Sequence, residues 1–358
     1  MDLLVIAAVF GGLAVLQAAL IVLFGMRGFS YRRQFSKAEA GAGEKIAFIE
    51  VIGNRSPLFL PWVRVEARVP PEFTFHTREE VEIRSENYHK SVFTLTPFSQ
   101  VTRRHQITLN KRGHYRLEQV SMTAGDLLGM RLISRDLSAP AELYVYPRLV
   151  GDGLPLPSTR AQGDVSVRRW IQPDPFLVNG IRGYRAGDPL RDIQWPATAR
   201  TGELQVKTHD FTADPRLMVL INAQKTADQW GDLMDYEQER IEYAISLAAT
   251  LCLQALAQGS EAGFAANIPL DEAAEGACLT PQRGPGREQE LLRAFACLRI
   301  RRVCSFPTVL EQLPRMSGVD YVILSCYDDP VIRRRMEEMR ALGNTVTLHV
   351  LPGEVPHA

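Results

Sequence analysis

The sequence predicts a multidomain α+β chain: an N-terminal transmembrane helix, an antiparallel β-sandwich and an α/β doubly wound domain. Three observations predict this order. The chain opens with a long apolar run, continues with strands of period two, and ends with short apolar strands that alternate with amphipathic helices. The predicted segments are 1–26 (transmembrane anchor), 27–44 (juxtamembrane linker), 45–150 (β-sandwich), 151–170 (junction), 171–214 (arginine-rich segment) and 215–358 (α/β domain).

The anchor is predicted from residues 3–24, which are almost wholly apolar. Roughly 20 helical residues cross the hydrocarbon core of a bilayer. Asp2 precedes the run, whereas Arg27, Arg32 and Arg33 follow it. The positive-inside rule then predicts a single pass through the cell membrane with the bulk of the chain in the cytoplasm. The competing interpretation is a cleaved signal peptide, which requires a basic N-terminal region and a cleavage site of small residues. Neither feature is evident, since Met26 and Arg27 directly follow the apolar run.

The sandwich is predicted from alternating apolar and polar residues over 45–150, with frequent turn signals and no long helical period. Its predicted strands are 46–51, 62–69, 81–84, 91–95, 105–109, 115–122 and 143–146. Basic residues between Arg103 and Arg116 favour a solvated hairpin face over a surface for a membrane or an acidic partner.

The α/β domain is predicted from apolar strands separated by helices with one apolar face, an order typical of a parallel sheet. The predicted strands are 216–222, 262–267, 321–325 and 345–351. The predicted helices are 232–257, 288–300 and 330–342, and 271–286 is predicted to be a loop. Gly259 is a candidate C-cap for the first helix.

Composition narrows the function classes. Lys and Arg number 41 and so do Asp and Glu, so the chain lacks the basic excess of a nucleic-acid-binding protein. The 5 Cys form no CxxC pair, which predicts reduced thiols rather than disulfides. A zinc site built from closely spaced ligand pairs is also missing from the sequence. We expect no cofactor and no metal, and no nucleic-acid partner.

Residues 181–207 combine five cations, three carboxylates, two aromatic rings and three glycines. Arginine clusters recognise carboxylate or phosphate through paired hydrogen bonds. Two interpretations follow: an internal charged clasp, or a surface that binds a partner. Asp188 lies between Arg185 and Arg191, and neighbouring cations favour its ionised form, which makes it a poor general acid.

The end of the first predicted α/β strand is a second place to look for a site, because such sheets bind ligands beyond the carboxyl ends of their strands. The domain resembles a von Willebrand factor A domain, in which an Asp-x-Ser-x-Ser motif can hold magnesium. Asn222, Gln224 and Thr226 stand at those positions here. Hard cations bind preferentially to carboxylate oxygens. We therefore expect a degenerate site that lacks the ligands for magnesium.

A wider resemblance concerns the bacterial family called domain of unknown function 58. Its signature is similar to Gly180-x-Arg182-x-Tyr184-x-x-Gly187-Asp188-x-x-Arg191-x-Ile193-x-Trp195-x-x-Thr198-Ala199-Arg200, followed by Leu204, Val206 and Lys207. The resemblance implies an N-terminal membrane anchor and a cytoplasmic body with a von Willebrand A-like end. It also implies an association with MoxR-type AAA+ ATPases and with transglutaminase-like membrane proteins.

These observations favour a membrane-anchored cytoplasmic adaptor without enzymatic activity, partnering a MoxR-type ATPase in the assembly or maturation of protein complexes. The expected docking residues, which serve equally as the alternative structural clasp, are Arg182, Tyr184, Gly187, Asp188, Arg191, Trp195, Arg200 and Lys207. The alternatives are a cryptic hydrolase or transferase acting on envelope precursors, and a metal-dependent binding module.

Overall fold

The structure is a computed structural model. It describes residues 5–6, 9–12, 15–16, 19, 28–76, 88–126, 132–151, 178–184, 192–209, 215–227, 229, 233 and 235–353. The chain divides into two compact units. The first comprises residues 1–150, 270–273 and 289–299, and the second comprises 151–269, 274–288 and 300–358.

The first unit contains nine described strands arranged in two sheets. They are β1 (Phe29–Phe35), β2 (Glu39–Gly41), β3 (Lys45–Asn54), β4 (Leu60–Arg68), β5 (Phe73–Phe75), β6 (Tyr88–Leu95), β7 (Gln100–Leu109), β8 (Gly113–Gly125) and β9 (Leu132–Tyr146). One sheet has the order β1-β3-β7-β5 and the other β2-β9-β8-β4-β6. All pairs are antiparallel except β2 with β9, which run parallel.

The two sheets face each other, because inward side chains from both build shared hydrophobic clusters. Phe48, Ile107 and Leu143 belong to one cluster. Ile52 and Phe93 belong to another. The alternating burial along β3 and β7 gives each strand an inner and an outer face, as the period of two predicts.

The segment 27–44 differs from the predicted linker, since it contains β1 and β2. β1 pairs with β3 over seven residues, from Phe29 opposite Asn54 to Phe35 opposite Phe48. Arg33 occupies an inward position of β1. Because this position is charged, the strand lacks the apolar alternation by which the sequence would have revealed it. The predicted strand 81–84 lies outside the described residues.

The basic stretch from Arg103 to Arg116 also differs from its predicted solvated face. His105 and His114 are buried, and so is Arg112. Arg112 donates from Nη1 to the carbonyl oxygens of Phe295 (2.9 Å) and Leu298 (2.8 Å). A guanidinium here therefore satisfies backbone acceptors at the end of a helix.

The second unit begins, in its described part, with a two-stranded ribbon and a short helix. The ribbon pairs β10 (Val178–Gly183) with β11 (Gln205–His209), and the helix α1 is Trp195–Thr201. The later elements are β12 (Arg216–Ile221), α2 (Asp235–Ala257), β13 (Glu261–Ala266), β14 (Cys278–Gln282), α3 (Arg287–Cys297), α4 (Phe306–Gln312), β15 (Val319–Ser325), α5 (Pro330–Ala341) and β16 (Thr345–Val350). Most of α3 is assigned to the first unit.

Five of these strands form a sheet of order β14-β13-β12-β15-β16. β12, β13, β15 and β16 are parallel, which confirms the predicted parallel core. The edge strand β14 is antiparallel to β13 and lies in the predicted loop 271–286. The sequence also did not reveal α4, because its seven residues are too few for a helical period to show. Its start is marked instead by Ser305, whose side chain accepts a bond from the Thr308 amide.

The long helix α2 confirms the predicted buried helix. Ile241, Ala248 and Cys252 are buried, as are most residues of its second half. Gly259 follows the helix with φ of +80° and donates its amide to the Leu256 carbonyl at 3.0 Å. A left-handed glycine ends a helix at little steric cost, so the predicted C-cap position is confirmed.

Among the described residues, none of the helices combines the length and the apolarity that crossing a bilayer requires. The predicted anchor over residues 3–24 falls largely outside that part of the chain. Its described members are helical, and the apolar side chains of Val9, Phe10 and Val15 are exposed.

Candidate functional site

The arginine-rich segment folds around the ribbon of β10 and β11. Arg182 lies opposite Val206, and Ile181 lies opposite Lys207. Ile193 forms an isolated bridge to Val206 on the other edge of β11, and the Gln194 amide donates to the Gln205 carbonyl at 2.8 Å. Residues that are 13 positions apart, 193 and 206, are thus fixed side by side by backbone bonds.

The two faces of the ribbon differ. Paired residues of antiparallel strands project to the same face, and neighbours along a strand project to opposite faces. Arg182 therefore shares a face with buried Val206, whereas Lys207 shares the other face with exposed Ile181. The predicted docking residues Arg182 and Lys207 accordingly lie on opposite faces, so the eight residues do not form one flat surface.

The helix α1 carries the exposed part of the segment. None of its residues is buried, and the Trp195 side chain is 66% exposed. Arg200 in the last turn is exposed as well. The helix ends at Gly202, whose φ is +73° and whose amide donates to the Thr198 carbonyl. The Thr198 hydroxyl accepts the Gln205 amide at 3.0 Å, which fastens α1 to β11.

Five of the eight predicted docking residues are described, and Gly187, Asp188 and Arg191 lie outside the described residues. Trp195 and Arg200 are exposed on α1. Arg182, Tyr184 and Lys207 are half-buried on the ribbon or directly after it. The Tyr184 amide extends the ribbon by donating to the Leu204 carbonyl at 2.8 Å.

At the carboxyl ends of the parallel strands, amide side chains occupy the place where carboxylates would hold a cation. Asn222, Gln224 and Asn267 are buried. The Asn222 Nδ2 atom donates to Ser325 Oγ at 3.0 Å, and Asn222 Oδ1 accepts the Gln224 amide at 3.0 Å. The Gln224 Oε1 atom accepts the Phe306 amide at 2.8 Å.

This network explains why the strand end does not have the chemistry of a magnesium site. Its oxygens come from neutral amides and a hydroxyl, and they accept bonds from neighbouring backbone amides. Magnesium binds through carboxylates and phosphates in an octahedral shell. The third predicted position, Thr226, is exposed and its side chain takes no part in the bonds described above.

A polar layer inside the β-sandwich was missed by the sequence analysis. It is centred on the carboxylate of Glu50, which is fully buried on β3 between Phe48 and Ile52. Its other members are Tyr31 (β1), His89 and Ser91 (β6), and His105 (β7). The layer lies between hydrophobic cluster positions, since Phe48 packs in one cluster and Ile52 in the other.

The bonds of this layer converge on one carboxylate. Tyr31 donates its hydroxyl to Glu50 Oε1 at 2.6 Å. Three side chains surround Oε2: Ser91 Oγ at 3.0 Å, His105 Nε2 at 3.0 Å and His89 Nε2 at 3.5 Å. His89 Nε2 also lies 3.0 Å from Ser91 Oγ.

Burial and hydrogen bonding act on Glu50 in opposite directions. Burial alone would raise the pKa of its carboxyl, but the bonds from His105, His89 and Tyr31 outweigh it and hold the pKa well below its ordinary value. Burial and the adjacent Glu50 carboxylate raise the pKa of Tyr31 far above its ordinary value. The layer therefore contains an ionised carboxylate beside a neutral phenol.

The period of two held a signal for this layer. Glu50 stands two residues from Phe48 and two from Ile52, so the strand pattern assigns it to the inner face. His105 stands two residues from Ile107 in the same way. A polar residue at an inward position of several strands indicates a buried polar cluster, although it does not say which residues meet.

The five cysteines are free thiols. Burial raises the pKa of Cys252 to about 12, and burial followed by the nearby Asp271 raises the pKa of Cys297 to about 12. Burial also raises the pKa of Cys278, Cys304 and Cys326. A nucleophilic cysteine needs a lowered pKa, so these thiols do not have the electrostatics of a catalytic nucleophile.

A cleft of about 970 Å³ lies between α5 and the edge strand β16. The cations that line it are paired with carboxylates. Arg333 donates from Nε to Asp328 at 2.9 Å, and Arg340 pairs with Glu337 at 2.6 Å. Arg333 and Arg340 are therefore both paired with carboxylates, so neither provides an unpaired positive charge for a ligand in the cleft.

Among curated proteins, the chain is similar to one bacterial protein. It is 22% identical over 252 residues to "Uncharacterized protein YeaD" of Bacillus subtilis (strain 168), a match that covers 70% of this chain and 59% of that protein. The chain thus spans somewhat over half the length of this relative.

Among solved structures, the CARDB domain of a Pyrococcus furiosus protein, in complex with di-metal ions, aligns with a TM-score of 0.23 and 11% identity. The alignment covers 34% of this chain and 96% of that chain. A non-cellulosomal cohesin from Archaeoglobus fulgidus aligns with a TM-score of 0.23 and 11% identity, over 32% of this chain and 91% of that chain.

The family comparison covers most of the arginine-rich segment together with much of the α/β domain. Residues 180–313 match the family model described as "Protein of unknown function DUF58".

Proposed function

We propose that this protein is a membrane-anchored adaptor that docks a MoxR-type AAA+ ATPase and performs no chemistry of its own. The ATPase supplies the energy for the assembly or maturation of protein complexes, and this chain supplies a membrane address and a docking surface. A transglutaminase-like membrane protein is a further partner in this proposal, on the resemblance described above.

The observation that carries the proposal is the exposure of α1. α1 has seven residues and buries none of its side chains. Most helical stability comes from packing an apolar face, so α1 receives little stabilisation from the rest of the chain. Trp195 is the largest side chain on it and is 66% exposed. Tryptophan and arginine are enriched among the residues that dominate binding energy in protein interfaces.

Charge supports one kind of partner surface. Arg200 is exposed in the last turn of α1. Arginine binds carboxylates through a planar pair of donors. We therefore propose that the ATPase presents carboxylates around a pocket that receives the Trp195 ring.

The chemistry of the described residues favours binding over catalysis. The raised pKa of each cysteine disfavours a thiolate nucleophile. The amide network at Asn222 disfavours a magnesium-dependent binding site. A von Willebrand A-like identity for the α/β domain stays part of the proposal, supported by a parallel sheet with its first strand, β12, at the centre.

The anchor and the cytoplasmic location belong to the same proposal and rest on the apolar run 3–24 and the arginines that follow it. Deleting residues 1–26 is expected to move the protein from the membrane fraction to the soluble fraction of lysed cells. Recovery of the truncated and full-length proteins in the same fraction would contradict the anchor.

Docking is tested by co-purification from detergent-solubilised membranes with quantitative mass spectrometry. We expect the wild-type chain to retain the ATPase, and Trp195→Ala and Arg200→Ala to lose it while their thermal unfolding stays unchanged. Leu342→Ala and Arg334→Ala are matched controls, because both residues are exposed on or next to α5, away from the ribbon in sequence. Retention of the ATPase by both α1 variants would refute this surface.

A further inference from the structure

The polar layer of the sandwich brings four possible ligand atoms together from three strands. They are Glu50 Oε2 on β3, Ser91 Oγ and His89 Nε2 on β6, and His105 Nε2 on β7. Glu50 and His105 are 55 positions apart, and only His89 and Ser91 stand close together in the sequence. The absence of a zinc motif built from closely spaced Cys and His pairs therefore does not exclude a metal site here.

Four of the six distances between these atoms are close to the edges of a small tetrahedron. Glu50 Oε2 lies 3.0 Å from Ser91 Oγ, 3.0 Å from His105 Nε2 and 3.5 Å from His89 Nε2. His89 Nε2 lies 3.0 Å from Ser91 Oγ. Four ligands at zinc–nitrogen and zinc–oxygen distances of about 2.0 to 2.1 Å are separated by edges of about 3.3 Å.

The ligand types select the kind of ion. Two imidazoles and one carboxylate are typical ligands of zinc and its neighbours in the first transition series. Calcium and magnesium instead bind through oxygen ligands. The two histidines and Glu50 are almost fully buried, at 2%, 3% and 0% exposure. A closed, buried site with four protein ligands is typical of structural rather than catalytic zinc.

His89 presents its Nε2 atom to both Glu50 and Ser91, the orientation that a metal ligand at this place needs. His89 Nδ1 is buried and has no partner among the described residues, although the ring is held by stacking on Phe75 at 4.7 Å between centroids. The nearby Arg33 donates to the backbone carbonyls of Ala139 (2.7 Å) and Gln119 (3.3 Å).

A second cluster in the same unit makes a useful contrast. His114, Asp271 and Cys297 also lie close together. Both ring nitrogens of His114 face carboxylates, Asp271 at 2.8 Å and Glu142. Arg116 lies 3.7 Å from each of these carboxylates and so compensates their charge. That cluster is an ion-pair network with one thiol, whereas the Glu50 layer has no sulfur.

We propose that the sandwich binds one divalent transition-metal ion of the zinc class through His89, His105 and Glu50, with Ser91 as the fourth ligand. The ion joins β3 and β7 of one sheet to β6 of the other. Its role is structural, because the protein supplies all four ligands and the site is closed inside the core.

The test measures metal content and unfolding temperature on the purified full-length chain in detergent. We expect about one zinc per chain by elemental mass spectrometry after equilibration with zinc, and a lower unfolding temperature after chelation. His89→Gln should lose the zinc. His76→Gln is the matched control, because His76 is an exposed histidine of the same unit, and it should keep the zinc.

Cobalt substitution gives a readout that does not depend on a variant that folds. Tetrahedral nitrogen and oxygen ligation should produce intense visible absorption without a sulfur-to-metal charge-transfer band. A charge-transfer band would place the ion at Cys297 and overturn the proposal. So would a folded wild-type chain that binds no zinc and shows no change in unfolding temperature on chelation, or zinc retained by His89→Gln.

Discussion

The Nε2 atom of His105 lies 3.0 Å from Oε2 of Glu50, in the interior of the β-sandwich and between its hydrophobic clusters. Four strands from two sheets supply the side chains of the polar layer around this contact. Both residues occupy inward strand positions, where the alternating pattern alone predicts apolar side chains. It predicts how the first unit responds to mutation and to acid.

Replacing Glu50 with Gln should destabilise the protein by about 1–3 kcal/mol, because His105 and Tyr31 lose a charged acceptor in a site closed to water. Urea unfolding of the chelator-treated protein, followed by circular dichroism, measures the change. Glu66→Gln is the control, since Glu66 is partly exposed and pairs with Arg64 and Lys90 at 3.4 Å. Such pairs contribute about 0–1 kcal/mol. Equal losses in the two variants would contradict a special role for the buried carboxylate.

Stability should fall with acid more steeply than the exposed carboxylates account for. Glu50 has a pKa below 4.5 in the folded chain, so as the pH falls the unfolded chain binds the proton first. The stabilisation from this group is complete above the unfolded pKa of about 4.5 and is lost as the pH falls towards the lower folded value. Urea midpoints of the chelator-treated protein between pH 7 and pH 3 measure it. Glu50→Gln should show a shallower decline, and parallel declines would count against the assignment.

Much of the fold was predictable because the two periods are local signals. Strand β4 and helix α5 were predicted with bounds close to those observed. β1 and β14 were not, because an inward Arg33 and a proline-bearing edge strand obscure the alternation. The position of Glu50 on an inner face was visible in the sequence, but its partners on β6 and β7 were not, since strand pairing is a long-range property.

The same limit applies to the arginine-rich segment. The sequence marked Arg182, Trp195 and Lys207 as one group. The register of β10 with β11 separates Arg182 from Lys207, because it assigns them to opposite faces. Trp195 differs from the other members of the group in being largely exposed. Exposure depends on which residues pack on α1, and the sequence does not show that packing.

Thiol reactivity should follow burial. Cys278 is exposed, whereas Cys252 is buried with its pKa raised to about 12. We expect iodoacetamide at neutral pH to label Cys278 first and to reach Cys252 only after unfolding, because the thiolate is the reactive form. Peptide mass spectrometry at timed quenches measures this order. Rapid labelling of one buried thiol in the folded chain would instead revive the cysteine-dependent enzyme alternative.

The strand-end network should be structural. Gln224→Leu removes the acceptor of the Phe306 amide and a neighbour of Asn267, and it should cost about 1–3 kcal/mol. Thr226→Ala, at the exposed third position of the motif, should change stability by no more than about 0.5 kcal/mol. Thermal unfolding with and without magnesium checks both variants. Stabilisation of the wild-type chain by magnesium would contradict the account of this site.

The most direct test of the docking account is a calorimetric titration of the purified MoxR-type ATPase into the full-length chain in detergent. A side chain that dominates an interface contributes at least about 2 kcal/mol. The account therefore predicts that Trp195→Ala weakens binding roughly 30-fold or more at an unchanged unfolding temperature, while Leu342→Ala binds as the wild type does. Equal affinities for wild type and Trp195→Ala, or no heat of binding with the wild-type chain, would contradict it.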